Sequence, residues 1–123
     1  MATKTKTKFD IEALKRAYEQ WDVEMLLELY ADDFEQIEMD HVTPPSAPRR
    51  RTKADFEQIF ERASKNGVKI RIDNPVVGED RAACTIICEL PSGKTVVANS
   101  ILDIRNGQIV RQFDVQAMDE PSK

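Results

Sequence analysis

The second half of the chain places the tightest constraint on its fold. From Val68 to Met118 it reads as strands joined by turn signals. Val68, Ile70 and Ile72 alternate with Lys69, Arg71 and Asp73, the period-two pattern of a strand with one buried face. Gly78-Glu79-Asp80 turns the chain into Arg81–Leu90, and Pro91-Ser92-Gly93 turns it into Thr95–Arg105. Asn106-Gly107 has the composition of a two-residue hairpin loop, which needs positive φ, and Gln108–Met118 closes the set. Consecutive strands at these spacings form an antiparallel meander whose apolar face must be covered.

The first half supplies the cover. Phe9-Asp10-Ile11 opens a helix, with Asp10 as its cap and Phe9 stapled onto Leu14. Ile11, Leu14, Tyr18 and Trp21 form its apolar stripe. Asp22 caps a second helix whose buried face is Val23, Leu26, Leu27 and Tyr30, ending near Ala31-Asp32-Asp33. A strand runs from Phe34 to about Met39. The segment from His41 to Pro48 is a loop, because Pro44, Pro45 and Pro48 forbid helix and central strand. Thr52 and Asp55 resemble a capping box for a third helix, buried through Phe56, Ile59, Phe60 and Ala63 and stopped at Asn66-Gly67. The order is α-α-β-α-β-β-β-β. Residues 1–8 alternate Thr and Lys and read as a disordered tail, 9–119 as a single domain and 120–123 as a second tail.

Charge and composition exclude whole classes of function. With 123 residues the chain holds one core, and its 18 basic against 22 acidic side chains give a net charge of −4. A general nucleic-acid binder needs the opposite balance. No apolar run is long enough to span a membrane. The start, MATKTKTKFD, lacks the apolar stretch of a secretory signal, so a cytoplasmic location is expected. Cys84 and Cys88 share a strand face with Ile86 and Leu90, roughly 13 Å apart, too far for a disulfide. They read as buried thiols that fill volume. Two Cys and one His do not make a zinc site, and no Gly-rich phosphate loop or G-x-S-x-G elbow is present, so no metal or cofactor is expected.

A two-residue loop at Asn106-Gly107 pairs Ile104 with Ile109, Leu102 with Arg111, Ser100 with Phe113 and Ala98 with Val115 on the face toward the helices. The other face then carries Val97, Asn99, Ile101, Gln112, Asp114 and Gln116. That mixture is too apolar for solvent and too polar for a core. It fits a homodimer contact through the sheet, or a polar cavity lined by Gln112 and Gln116 if a bulge flips the register.

Three stretches, in this order, resemble the nuclear transport factor 2-like superfamily in its SnoaL-like and ketosteroid-isomerase-like branch. They are Asp22-Val23-Glu24-Met25-Leu26 running into Leu29-Tyr30-Ala31-Asp32-Asp33, the Pro-containing loop followed by Thr52–Ala63, and the closing hairpin Asp103-Ile104-Arg105-Asn106-Gly107-Gln108-Ile109-Val110. Pro44-Pro45 and Arg111-Gln112-Phe113-Asp114-Val115-Gln116-Ala117 look most like small bacterial members. The resemblance implies an α+β cone of cystatin-like type, a strongly bent antiparallel sheet wrapped around three helices, with an apolar pocket at its mouth. Members include isomerases, dehydratases, epoxide hydrolases and polyketide cyclases, and also non-catalytic transport and assembly domains, so fold leaves function open.

In the isomerase-like branch a carboxylate at the end of the first strand acts as a general base. The matching position is Glu38, where the family's Asp-Pro pair is replaced by Glu38-Met39; Asp40, two residues on, points the same way on a regular strand. His41, the single histidine, stands at the lip of the expected pocket and is an acid–base candidate at neutral pH. Asp114 falls where polyketide-cyclase-like members place an acid–base group. The isomerases' second strand aspartate falls near Ser100. Trp21, Phe34, Phe56 and Phe60 are either pocket wall or core. Arg49-Arg50-Arg51 either meets an anionic group or is a solvated loop. Two functions follow: an isomerase, cyclase or dehydratase that moves protons on a small hydrophobic molecule, or a dimeric module that binds a ligand or partner without turning it over.

Overall fold

Each helix begins where a side chain closes its first turn. The computed structural model describes residues 8–119. The tails expected at 1–8 and 120–123 lie outside the described residues, apart from Lys8. The Asp10 carboxylate accepts the Ala13 N–H at 3.1 Å and starts α1 (Ile11–Gln20). Trp21 ends α1 in the left-handed region at φ 51°, and its indole N–H donates to the Val68 carbonyl at 2.7 Å. Asp22 caps α2 (Val23–Leu29) through the Met25 N–H. Thr52 and Asp55 form a reciprocal capping box for α3 (Lys53–Lys65), followed by Gly67 at φ 76°.

The strands are β1 (Tyr30–Met39), β2 (Arg49–Thr52), β3 (Lys69–Val77), β4 (Arg81–Glu89), β5 (Thr95–Arg105) and β6 (Gln108–Met118). They form one sheet in the order β2-β1-β6-β5-β4-β3. The sheet is unclosed and, with the helices, makes the α+β cone. It is mixed: β1 runs parallel to β6 and every other pair is antiparallel. The helical pattern of α2 gives way at Tyr30 rather than at Asp32-Asp33, because Tyr30 is already extended and pairs with Ile109. Tyr30, Phe34, Phe56 and Phe60 pack as an aromatic cluster with Leu14, Leu26, Leu102 and Ile109.

Two departures from the sequence expectation matter for the site. The first is β2. Arg49–Thr52, expected as loop, pairs antiparallel with β1, Glu38 opposite Arg49 and Gln36 opposite Arg51. Four residues rich in charge carry almost no strand signal of their own, and the long β1 edge supplies the pairing. The second is a bulge in the closing hairpin. Ile104 pairs with Ile109 as expected, but the next rung sets Asp103 opposite Arg111, which leaves Val110 as the additional residue. Beyond it every partner shifts by one: Leu102 faces Gln112, Ser100 faces Asp114 and Ala98 faces Gln116. A one-residue slip exchanges the faces of a strand. Gln112, Asp114 and Gln116 therefore leave the outer face assigned to them and turn inward. Phe113, Val115 and Ala117 take their place beside Ile101, Asn99 and Val97.

Candidate functional site

The slip builds polar rows across the concave face. One row runs Arg49, Glu38, Asp114, Ser100 and Cys84 over five neighbouring strands; the next runs Arg51, Gln36, Gln112 and Leu102. Side chains in such rows stand close enough to bond. Ser100 Oγ donates to Asp114 Oδ1. Gln36 Nε2 and Gln112 Nε2 donate to Asp114 Oδ2 at 2.5 and 2.9 Å. Gln112 Oε1 accepts from the Tyr30 hydroxyl at 3.2 Å, and that hydroxyl lies 2.6 Å from the Tyr18 hydroxyl. Toward the edge, Arg49 Nη1 and Arg51 Nη1 both donate to Glu38 Oε1, the second at 3.1 Å, and Arg51 Nη1 also donates to Gln36 Oε1 at 2.8 Å.

Gln36, Glu38, Arg49, Arg51, Gln112 and Asp114 open onto a cavity of about 460 Å³, a size suited to a small organic ligand. Its polar end is Gln36, Glu38, Arg49, Arg51, Gln112, Asp114 and Gln116. The rest of the wall is apolar and includes Trp21, Phe56, Phe60, Ile70, Leu90 and Met118.

The two buried carboxylates sit in opposite settings. Glu38 is only 6% exposed and has two guanidinium partners. Asp114 is 3% exposed and, among the described residues, accepts only from neutral donors. Burial pushes its pKa above the usual carboxylate range; the bonds from Ser100, Gln36 and Gln112 pull it back only in part, and the Glu38 charge adds to the rise. In the window between about 3.9, the unfolded value, and the raised folded value, the native state holds a proton that the unfolded chain has released. Asp114 therefore favours folding at low pH, and that contribution is lost as pH rises through its folded pKa. Urea titrations should show wild-type stability falling relative to Asp114→Asn as pH rises above about 4. A constant difference between the two proteins would contradict the raised pKa.

The remaining candidates are distributed as follows. Trp21, Phe56, Phe60, Gln112 and Gln116 line the cavity, as do Glu38 and Asp114. Phe34 does not; it packs between Tyr30 and Phe56, ring centroids 4.7 and 4.8 Å away, inside the core. Asp40 lies beyond β1, in a bridge with Thr43, and is absent from the wall. Its Oδ1 accepts the Val42 N–H at 2.9 Å, which, with Arg49 3.7 Å from Oδ2, holds its pKa below the ordinary value. His41 is exposed in the turn that follows and is also off the wall. Both thiols are free; Cys84 is buried in the Asp114 row and pushed up to about 11 by burial first and then by Asp114, while Cys88 lines the cavity. Gln36, Arg49, Arg51 and Ser100 hold the carboxylates; the sequence offers Arg49 and Arg51 only as a basic run that meets an anionic group or solvent, and it does not single out Gln36. The signal was there in period two: Gln36-x-Glu38, Arg49-x-Arg51 and Gln112-x-Asp114-x-Gln116 each put polar groups on one strand face. Among the described residues no helix is long and apolar enough to cross a membrane.

A family model described as a SnoaL-like domain matches residues 11–112. No curated protein matches the sequence. Among solved structures, an NTF2-like protein of unknown function from Mesorhizobium loti superposes with a TM-score of 0.72 at 17% identity, over 87% of this chain and 87% of that one. A candidate ketosteroid isomerase from Kribbella flavida gives a TM-score of 0.68 at 16% identity over 92% of this chain and 80% of that one. An LEH-like epoxide hydrolase from M. tuberculosis gives 0.64 at 13% identity over 87% and 79%. At these identities the likeness is one of fold.

Proposed function

The chain belongs to the SnoaL-like domain family, and from that premise we propose that it is an acid–base catalyst for a small hydrophobic carbonyl compound, working without a cofactor. One observation carries the reading: the Asp114 carboxylate, buried at the polar end of a largely apolar cavity, is bonded among the described residues by three neutral donors and by no cation. Such a carboxylate is a stronger base than one in water, and it is held in a single orientation. Asp114 takes a proton from the carbon next to the carbonyl, the electron pair moves to the carbonyl oxygen, and Asp114 returns the proton to the product carbon. Gln116 lies two residues beyond Asp114 on the same wall and offers its amide N–H to the charge that builds on oxygen. Glu38 is held by Arg49 and Arg51 and orients Gln36, which donates to it at 3.3 Å as well as to Asp114. Asp40 and His41 have no part in this scheme.

The test is exchange of the α-protons of compact cyclic ketones into deuterium oxide, followed by proton NMR. Wild-type protein should speed exchange well above the buffer rate. Exchange at the buffer rate across such a panel, or an Asp114→Asn variant as fast as wild type, would overturn the assignment.

The second reading is a dimeric module that binds without turnover, and the convex face favours it. Val97, Ile101 and Val115 are 37, 44 and 53% exposed there, close neighbours through the pairings of β5 with β6. Exposed aliphatic side chains grouped on one sheet face suit a two-fold contact. Ile101→Arg should convert a dimer to a monomer in sedimentation analysis. The same mass for both proteins would exclude this face as the contact.

A further inference from the structure

The edge strand β2 places two guanidinium groups at the polar end of a largely apolar cavity, and they share one carboxylate oxygen, Glu38 Oε1. Arg49 has further partners: its Nη2 donates to Thr43 Oγ1 at 3.0 Å, and Asp40 lies 3.7 Å from its Nη1. Arg51 has fewer. Both of its hydrogen bonds leave from Nη1, to Gln36 Oε1 and to the already shared Glu38 oxygen, and its side chain is 25% exposed. Its Nε and Nη2 make no hydrogen bond among the described residues. A guanidinium carries five N–H donors in a planar fork that matches a carboxylate. A half-buried cation on a cavity wall, with a half-share in one anion and unused donors open to solvent, offers a ready site for a ligand of opposite charge.

We propose that Arg51, with Arg49 beside it, anchors a carboxylate on the ligand, so that the cavity takes hydrophobic carboxylic acids in preference to neutral molecules of the same shape. The inference rests on the reading of this cavity as the substrate site and narrows its substrate class. The apolar wall formed by Ile70, Leu90 and Met118 takes the body of such a molecule, and the guanidinium fork takes its head. The anchoring end lies at the edge strand, while Asp114 lies two strands inward, on β6. Binding and proton transfer therefore use different side chains.

The probes are 2-naphthoate and its neutral analogue 2-naphthylmethanol, with affinities measured by isothermal titration calorimetry. Wild type should bind the carboxylate about tenfold or more tightly than the alcohol. Arg51→Gln should abolish that preference, and Arg51→Lys, which keeps the charge but loses the fork, should restore only part of it. Glu38→Gln removes the competing anion and should tighten naphthoate binding several-fold; a purely structural ion pair predicts no tightening. Equal affinity of wild type for the two probes, no naphthoate binding, or a preference unchanged in folded Arg51→Gln and Arg51→Lys would overturn the anchor. Asp114→Asn separates the two readings. If it keeps the carboxylate preference but loses ketone exchange, both stand. Ketone exchange by wild type without a carboxylate preference removes the anchor alone, and a preference without exchange removes the proton-transfer scheme alone.

Discussion

Asp114→Asn should lower the rate of α-proton exchange by about 10²- to 10⁴-fold, the span associated with loss of one positioned general base. The substitution keeps the shape and removes the site that accepts the proton. The amide oxygen of the variant side chain still accepts from Ser100, but its new N–H groups point at Gln36 Nε2 and Gln112 Nε2, which are themselves donors. Gln112 cannot simply turn over, because its Oε1 holds the Tyr30 hydroxyl. The variant therefore loses some stability as well as its base, and circular dichroism must accompany the kinetics. The pH profile gives an independent readout. Wild-type exchange should rise with pH as Asp114 loses its proton, with a midpoint above the ordinary carboxylate range because burial raises its pKa. The variant should lack that rise. Ser100→Ala should shift the midpoint upward, since it removes one of the bonds that favour the ionised form. An unshifted midpoint would mean that Ser100 does not act on Asp114.

Phe34→Ala should cost about 3–5 kcal/mol of folding stability, as buried aromatic truncations do. Phe34 is 3% exposed, with its ring edge-on to Tyr30 and tilted against Phe56. Tyr30 also touches Phe60, so the vacancy would open at the centre of a cluster that clamps α3 onto β1. A loss of that size is a large part of the total for a small domain. It should appear as a lower urea midpoint with an unchanged slope. Since Phe34 is off the cavity wall, ketone exchange by the folded fraction should stay within a few-fold of wild type. A cost below about 1 kcal/mol would mean that the cluster closes over the gap.

The readability of each element follows the sequence distance over which it is decided. Asp10, Asp22 and the Thr52–Asp55 box act three residues away, so the helix starts are visible in the sequence and the structure places them there. Asn106-Gly107 likewise marks its own turn, with both residues at positive φ. The bulge at Val110 is a different kind of fact. The turn chemistry is satisfied in either register; the choice rests on which β6 residues meet Leu102, Ser100 and Ala98 across the hairpin. Reading on from the turn alone sends Asp114 to the wrong face. β2 is harder still, because its four residues become a strand only through β1.

Local patterning thus determined the three helices, the meander and the aromatic core stripe, while Glu38 was singled out only by the family resemblance. Tertiary structure decided which of the two buried carboxylates is left without a cation among the described residues. Gln36 reaches Asp114 across 78 residues of chain, and Arg51 reaches Glu38 across 13. Those bonds exist only because β6 returns parallel to β1 while β2 docks on its other edge. The basicity of Asp114 depends on burial and neighbours, and neither is a property of a residue and its immediate sequence.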